Sequence, residues 1–234
     1  MYPLSYEALD RAVTMPGISL IDYPGLVASL IFLRGCNFRC PYCHNGPLLS
    51  PGTGIPREGL LKRMQEHRKL ADGLVITGGE PTWGEGLADL IKEAKRLGYS
   101  VKLDTNGSSP SALEEILRGG WADYVAMDIK HTIKRYSEAC GVNVDTDRIK
   151  KSVELIKKDA PDYEFRTTWV PGMHKSQDIE KMITDFSLNK SRRFILQKYI
   201  RQESLSFPDW EKEKWQLAVQ PFEKEDFVFV RGDS

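Results

Sequence analysis

Gly35-Cys36-Asn37-Phe38-Arg39-Cys40-Pro41-Tyr42-Cys43-His44-Asn45 follows almost directly on an apolar, β-branched run over residues 27–33. The run reads as a first strand, delivering a loop with three cysteines at C-x3-C-x2-C spacing. Cysteine thiolates hold Fe–S clusters, and a cubane has four irons to be ligated. The fourth cysteine, Cys140, lies far along the chain beside Gly141, and reads as a small buried hydrophobe. Three clustered thiolates therefore leave one iron open to a small molecule. A structural zinc site needs four N/S ligands in a closed tetrahedron, and adjacent Cys43 and His44 make an awkward pair for one. A disulfide framework would leave one clustered cysteine over, in a chain with no sign of secretion.

Outward from this loop, strand-like and helix-like runs alternate. Strands are predicted at 27–33, 73–77, 100–103, 124–127, 164–170 and 194–199, and helices at 59–70, 87–97, 111–117, 148–157 and 179–187. Parallel strands need such crossovers, so the pattern predicts a parallel sheet or barrel of six β/α units, two short of a closed eight-stranded barrel. Residues 208–215 begin an appendage, followed by a candidate terminal strand at 227–230. The whole reads as one domain over 1–234, with a core of about 19–200 and an appendage over 201–234.

Polar chemistry gathers at the predicted strand ends, where parallel α/β folds place their sites. Thr77-Gly78-Gly79-Glu80-Pro81 follows the second strand and sets a carboxylate beside a pair of glycines. On its own it is also an ordinary Gly-Gly turn. Asp104-Thr105-Asn106-Gly107 ends the third strand and Asp128-Ile129-Lys130 the fourth; these also fit a turn and a surface ion pair. Within the fifth strand, Arg166 shares a face with Glu164 and Thr168, and a structural pair with Glu164 is its rival role. Gln197 is polar within an apolar sixth strand. His131 and His174 fall in loops after strands four and five, which are candidates for the mouth of the site although loop histidines are ordinarily solvated, and Trp210 and Trp215 read as packing or interface anchors.

The chain carries 33 basic and 33 acidic residues, so its zero formal charge gives it no general attraction to nucleic acid or a membrane surface. The N-terminus lacks a basic segment followed by an apolar one, and no apolar run approaches the length of a membrane span. The expected setting is the cytoplasm, whose reducing conditions keep thiolates free for a cluster.

The cysteine loop, with aromatic Tyr42 before its third cysteine, resembles the cluster loop of the radical S-adenosylmethionine (SAM) enzymes. The longer string from Ser19-Leu20-Ile21-Asp22-Tyr23-Pro24-Gly25 through Cys43-His44-Asn45 is similar to the activating enzymes of glycyl-radical enzymes. Among these it resembles the activating proteins of anaerobic ribonucleoside-triphosphate reductases. The resemblance implies an open partial (β/α)6 barrel in which Cys36, Cys40 and Cys43 hold a [4Fe–4S] cluster. SAM would chelate the open iron and be cleaved by one electron to methionine and a 5′-deoxyadenosyl radical, which takes a hydrogen from a glycine of the partner enzyme. The electron donor would be a flavodoxin- or ferredoxin-type protein.

By the same resemblance, Tyr42, Gly78, Gly79, Glu80, Asp104, Lys130, Arg166 and Gln197 are assigned to SAM. Asp104, Thr105 and Asp128 form a candidate monovalent-cation site, whose hard oxygen ligands suit a hard cation. Gln197 departs from the pyruvate formate-lyase activating enzymes, which offer a histidine there. Two other readings share some of these features. One is a small-molecule radical SAM enzyme of the 7-carboxy-7-deazaguanine synthase type; the other is a non-enzymatic, zinc-bound interaction module.

Overall fold

The computed structural model describes residues 8–50, 52 and 54–232. The first seven residues of the N-terminal stretch read for a leader lie outside that range. Before the first predicted strand come three short elements absent from the sequence-based expectation: α1 (Ala8–Arg11), β1 (Ala12–Thr14) and β2 (Ile18–Ser19). Each is too short to carry a periodic pattern. β1 and β2 pair antiparallel with β3 (Ala28–Leu33) and occupy one edge of the sheet.

From β3 onward the chain alternates as predicted. It runs through α2 (Arg57–His67), β4 (Gly73–Gly78), α3 (Leu87–Arg96), β5 (Ser100–Thr105), α4 (Pro110–Arg118) and β6 (Tyr124–Asp128). Next come α5 (Tyr136–Cys140), α6 (Thr146–Asp159), β7 (Tyr163–Trp169), α7 (Ser176–Asp185) and β8 (Phe194–Lys198). Neighbouring strands from β3 to β8 pair in parallel and in sequence order. Their middles are apolar because helices cover one face and the curled interior covers the other. α3 shows the logic locally: Leu87, Leu90, Ile91 and Ala94 are buried along one stripe, and Gly98 follows at φ +87°.

The sheet extends one strand further than the six-unit pattern. α8 (Lys212–Val219) leads to β9 (Val228–Arg231), which joins β8 in parallel, with Phe194 opposite Val228 and Gln197 opposite Arg231. The segment expected to be an appendage thus belongs to the same sheet. Aromatic packing anchors it, with Trp169 touching Trp210, Trp215 and Phe222 at ring separations of 5.8 Å in each case. The sheet does not close, because β1 and β9 end it on opposite sides.

Two layers of side chains fill the curled interior. Tyr23, Ala28, Leu30, Val75, Tyr124 and Ala126 plug the end where the strands begin. Above them, the period of two along each strand directs Lys102 and Asp104 of β5, Asp128 of β6, and Glu164 and Arg166 of β7 to the same side. Of these, Asp104, Asp128 and Arg166 form the floor of a cavity at the strands' C-terminal ends, and Lys102 and Glu164 lie beneath them.

Candidate active site

The cavity, of about 230 Å³, is bordered by the cysteine loop, the turn after β4 and the ends of β5, β6 and β7. Cys36, Cys40, Tyr42 and Cys43 line it with Gly78, Gly79, Glu80, Asp104, Thr105, Asp128, Lys130 and Arg166. Twelve of the thirteen residues assigned in the sequence therefore meet at one place. Gln197 is not among the lining residues; it sits one strand outward, opposite Thr168, which does line the cavity.

All four cysteines are free thiols. The Cys36 sulfur already accepts the Phe38 backbone N–H at 3.3 Å and the Asn106 Nδ2 at 4.0 Å, contacts that favour a thiolate ligand. Burial, followed by the charge of Glu80, pushes the unligated Cys36 thiol up to about 12, and burial also raises Cys43. Cys40 moves the other way, to about 7, because the Cys140 thiol hydrogen-bonds to it. The fully buried Cys140 is thus a neighbour of the cluster loop, and its backbone carbonyl also accepts the Arg39 N–H at 2.8 Å. Its burial agrees with its reading as a small buried hydrophobe, and only the return of the chain through α5 brings it beside Cys40.

The turn after β4 is clamped to the cysteine loop. A Cβ on Gly78 would lie 2.4 Å from the Leu33 carbonyl oxygen, and one on Gly79 would lie 2.2 Å from that of Gly35. The glycines thus serve a close approach of two chain segments as well as access for a ligand. Asn45 Nδ2 donates to the Gly78 carbonyl at 2.8 Å, and buried Arg11 donates to the carbonyls of Arg34, Glu80 and Pro81 at 2.8–3.2 Å. Glu80, 1 % exposed, accepts from the Thr82 N–H, the Thr82 and Thr105 hydroxyls and the Asn106 N–H at 2.6–2.9 Å. Burial still raises its carboxyl above the ordinary value.

Opposite lies a chain of charges. Lys102 Nζ contacts Asp104 Oδ1 at 2.6 Å, and Arg166 reaches Asp104 Oδ2 at 3.4 Å and Asp128 Oδ1 at 2.8 Å. Lys130 Nζ contacts Asp128 Oδ2 at 2.9 Å. Burial opposes ionisation of both carboxyls; Arg166 with Lys102 at Asp104, and Arg166 with Lys130 at Asp128, overcome it and hold them below the usual range. Glu164 is only a distant partner of Arg166, at 3.9 Å, and is engaged by Tyr124 and Arg231 instead. Arg166 is therefore turned toward the cavity.

His131 and His174 lie in loops as expected, but they are buried rather than solvated. Their rings stack at 4.7 Å, and His174 meets the edge of Tyr42 at 6.3 Å. His174 Nδ1 accepts the Val170 N–H at 3.1 Å, which leaves Nε2–H to donate to the Lys130 carbonyl at 2.9 Å. Burial keeps this ring neutral and lowers its pKa to about 4. His44 lines the cavity and packs against Tyr199 with ring centres 5.4 Å apart and planes tilted by 33°.

Sequence reading missed Arg11 and Lys102, and gave no role to Asn45 and Asn106 within the motifs that contain them. Lys102 carried a signal of its own: a lysine in an apolar strand, on the same face as Asp104. Among the described residues, no three His, Cys, Asp or Glu side chains are gathered for a single metal ion, so the zinc reading finds no ligand set. Three free thiols around a cavity rich in charged groups fit a larger inorganic cluster with a polar ligand beside it.

Among the described residues, no helix is long and apolar enough to cross a membrane. Residues 30–186 match the model of the Radical SAM superfamily. The chain is 36 % identical over 199 residues to a Methanocaldococcus jannaschii protein named as a glycyl-radical enzyme activating enzyme, covering 76 % of this chain and 77 % of that one. It is 25 % identical over 244 residues to the pyruvate formate-lyase 1-activating enzyme of Escherichia coli, covering 97 % of this chain and 95 % of that one. The fold is similar to that of SuiB from Streptococcus suis, with a TM-score of 0.66 at 15 % identity over 85 % of this chain and 47 % of the longer SuiB. The chain belongs to the radical SAM superfamily, whose enzymes use a [4Fe–4S] cluster and SAM.

Proposed function

We propose that this protein activates a glycyl-radical enzyme, and that the enzyme is an anaerobic ribonucleoside-triphosphate reductase. The observation that carries the reading is the convergence of three free thiols, the Gly78–Glu80 turn and the Asp104–Arg166–Asp128–Lys130 chain on one cavity of an unclosed sheet. Similarity to proteins named for glycyl-radical activation, over three quarters or more of this chain, supports the partner class. The glycyl-radical string from Ser19 to Asn45 supports the reductase.

In this reading Cys36, Cys40 and Cys43 hold the cluster, and Gly78, Gly79 and Glu80 receive the amino group of SAM. Asp104, Lys130, Arg166 and Tyr42 enclose the rest of SAM, with Gln197 at the outer rim. When bound, the reduced cluster and SAM together supply a one-electron C–S cleavage whose radical product can take a hydrogen from a partner glycine. The protein's share is positioning. Arg166 and Lys130 keep two carboxylates ionised at the cavity floor, while the clamped turn holds Glu80 against the cysteine loop. The apolar plug beneath excludes water from one side. An unclosed sheet leaves room for a peptide segment, which a filled eight-stranded barrel does not. We read the chain as a single domain working in the cytoplasm with a flavodoxin- or ferredoxin-type electron donor.

The test is low-temperature EPR of anaerobically reconstituted, reduced protein with SAM, then with an anaerobic ribonucleotide reductase. A [4Fe–4S]+ signal perturbed by SAM, followed by an organic doublet on the reductase, is the expected result. SAM cleavage that answers to a pterin-like small molecule and leaves no doublet on the reductase would replace this reading with the small-molecule one.

A further inference from the structure

We propose that the Lys102 ammonium occupies the role of a bound monovalent cation, so that this protein keeps its SAM-facing carboxylates in place without Na⁺ or K⁺. The inference rests on the SAM-pocket reading above. The expected cation site used oxygens of Asp104, Thr105 and Asp128, and each of those oxygens is already engaged. Asp104 Oδ1 is 2.6 Å from Lys102 Nζ, and its Oδ2 is 3.4 Å from Arg166 Nη1. Asp128 Oδ1 is 2.8 Å from Arg166 Nε, and its Oδ2 is 2.9 Å from Lys130 Nζ. Thr105 turns its hydroxyl toward Glu80 Oε1 at 2.8 Å and accepts the Gly107 N–H at 3.1 Å.

Charge balance agrees with the geometry. Three inward carboxylates, Asp104, Asp128 and Glu164, already face Lys102, Lys130 and Arg166, with Arg231 a further cation on Glu164, in a layer where Lys102 is 2 % exposed. A further cation would enter a poorly screened cluster whose charges are already matched, and each oxygen of Asp104 and Asp128 already has a cationic partner that it would have to displace.

The placement of Lys102 follows from the strand. Val101 and Leu103 point into the helix-covered core, so Lys102 points inward with Asp104, two residues on. Its stem lies in the layer of Tyr124, whose ring centre is 6.0 Å from Nζ. Among the described residues its ion pair is with Asp104 alone, and a buried ammonium is stable there only because that carboxylate faces it. A lysine is a compact point charge, the side chain nearest in character to an alkali ion, and its tether spares it any exchange with solvent.

SAM affinity of the anaerobically cluster-loaded protein, measured by equilibrium dialysis at constant ionic strength in NaCl, KCl or choline chloride, tests this. Wild type is expected to bind SAM equally in all three salts. Lys102→Met keeps the apolar stem and removes the charge. It should bind SAM on the order of tenfold more weakly in choline, a typical coupling between neighbouring sites, and recover in K⁺ or Na⁺. Lys102→Arg should stay indifferent to the salt. Wild-type binding that falls in choline and returns with K⁺ would overturn the inference, as would Lys102→Met binding like wild type in every salt. If Lys102→Met fails to fold, the wild-type salt series decides alone. Absence of SAM binding by wild type in all three salts would overturn the pocket reading, and this inference with it.

Discussion

Replacing Arg166 with methionine tests whether one guanidinium holds the cavity floor together. Arg166 is the only group that touches both Asp128 Oδ1, at 2.8 Å, and Asp104 Oδ2, at 3.4 Å, among the described residues. Its side chain is 18 % exposed and those of its partners 30 % and 16 %. Removing one member of a buried ion pair costs about 3–5 kcal/mol, because an uncompensated charge stays behind. Each carboxylate here keeps a lysine, Lys102 or Lys130, which places the expected loss at the lower end, about 3 kcal/mol. For a chain of this length each kcal/mol moves Tm by roughly 2–4 °C, so Arg166→Met should melt about 6–12 °C lower near pH 7.

The sign of the pH dependence follows from the two carboxyls. Burial would raise them and Arg166 is the largest influence lowering them, so both titrate below their unfolded range in the native protein. Their contribution is present above the unfolded pKa of about 3.9 and is lost as pH falls through the lower native value. Without Arg166 that contribution shrinks, so the gap from wild type is full at neutral pH and narrows only as pH falls below about 4. Anaerobic thermal unfolding followed by circular dichroism measures it. Adding Asp128→Asn to Arg166→Met should recover part of the loss, since the stranded charge is removed. A single variant that melts with wild type, or a double variant less stable than the single, would refute the reasoning.

Three further outcomes are expected. Cys40→Ala should lose the cluster and with it SAM cleavage, checked by iron and sulfide content alongside methionine release; full iron content with cleavage intact would remove Cys40 from the ligand set. Gly79→Ala brings a Cβ to 2.2 Å from the Gly35 carbonyl oxygen, and should cost about 1–3 kcal/mol in urea unfolding and weaken SAM binding, because the Glu80 turn must lift off the cysteine loop. His174 is buried neutral with a pKa of about 4, so its contribution is complete above the unfolded value near 6.5 and is lost as pH falls from there toward 4. His174→Gln should flatten the stability–pH curve over that interval by up to about 3 kcal/mol, and an unchanged slope would show that His174 does not titrate in this way.

Most of the frame is legible in the linear chain because its signals are local. An apolar run followed by Gly-Gly-Glu, by Asp-Thr-Asn-Gly or by Asp-Ile-Lys marks a strand and its functional end within a few residues. The cysteine spacing likewise needs nothing from elsewhere. β1, β2 and β9 were weak or silent because strands of two to four residues carry too little pattern, and β9 is held by the aromatic contacts around Trp169. The alternation along β7 placed Arg166 on the inward face, but its choice of Asp128 over Glu164 depended on Arg231 and Tyr124 arriving to engage Glu164.

By itself the sequence determined the βα alternation, the cysteine loop and the order of polar strand ends, since each is written in consecutive residues and the backbone's periods of two and 3.6. Only the tertiary structure decided which groups neutralise one another. Cys140 comes to Cys40, His174 to Lys130 and Arg11 to the Glu80 turn through segments remote in the chain. Lys102 meets Asp104 locally, yet its burial, and with it the weight of that charge, exists only once the sheet has curled and excluded water.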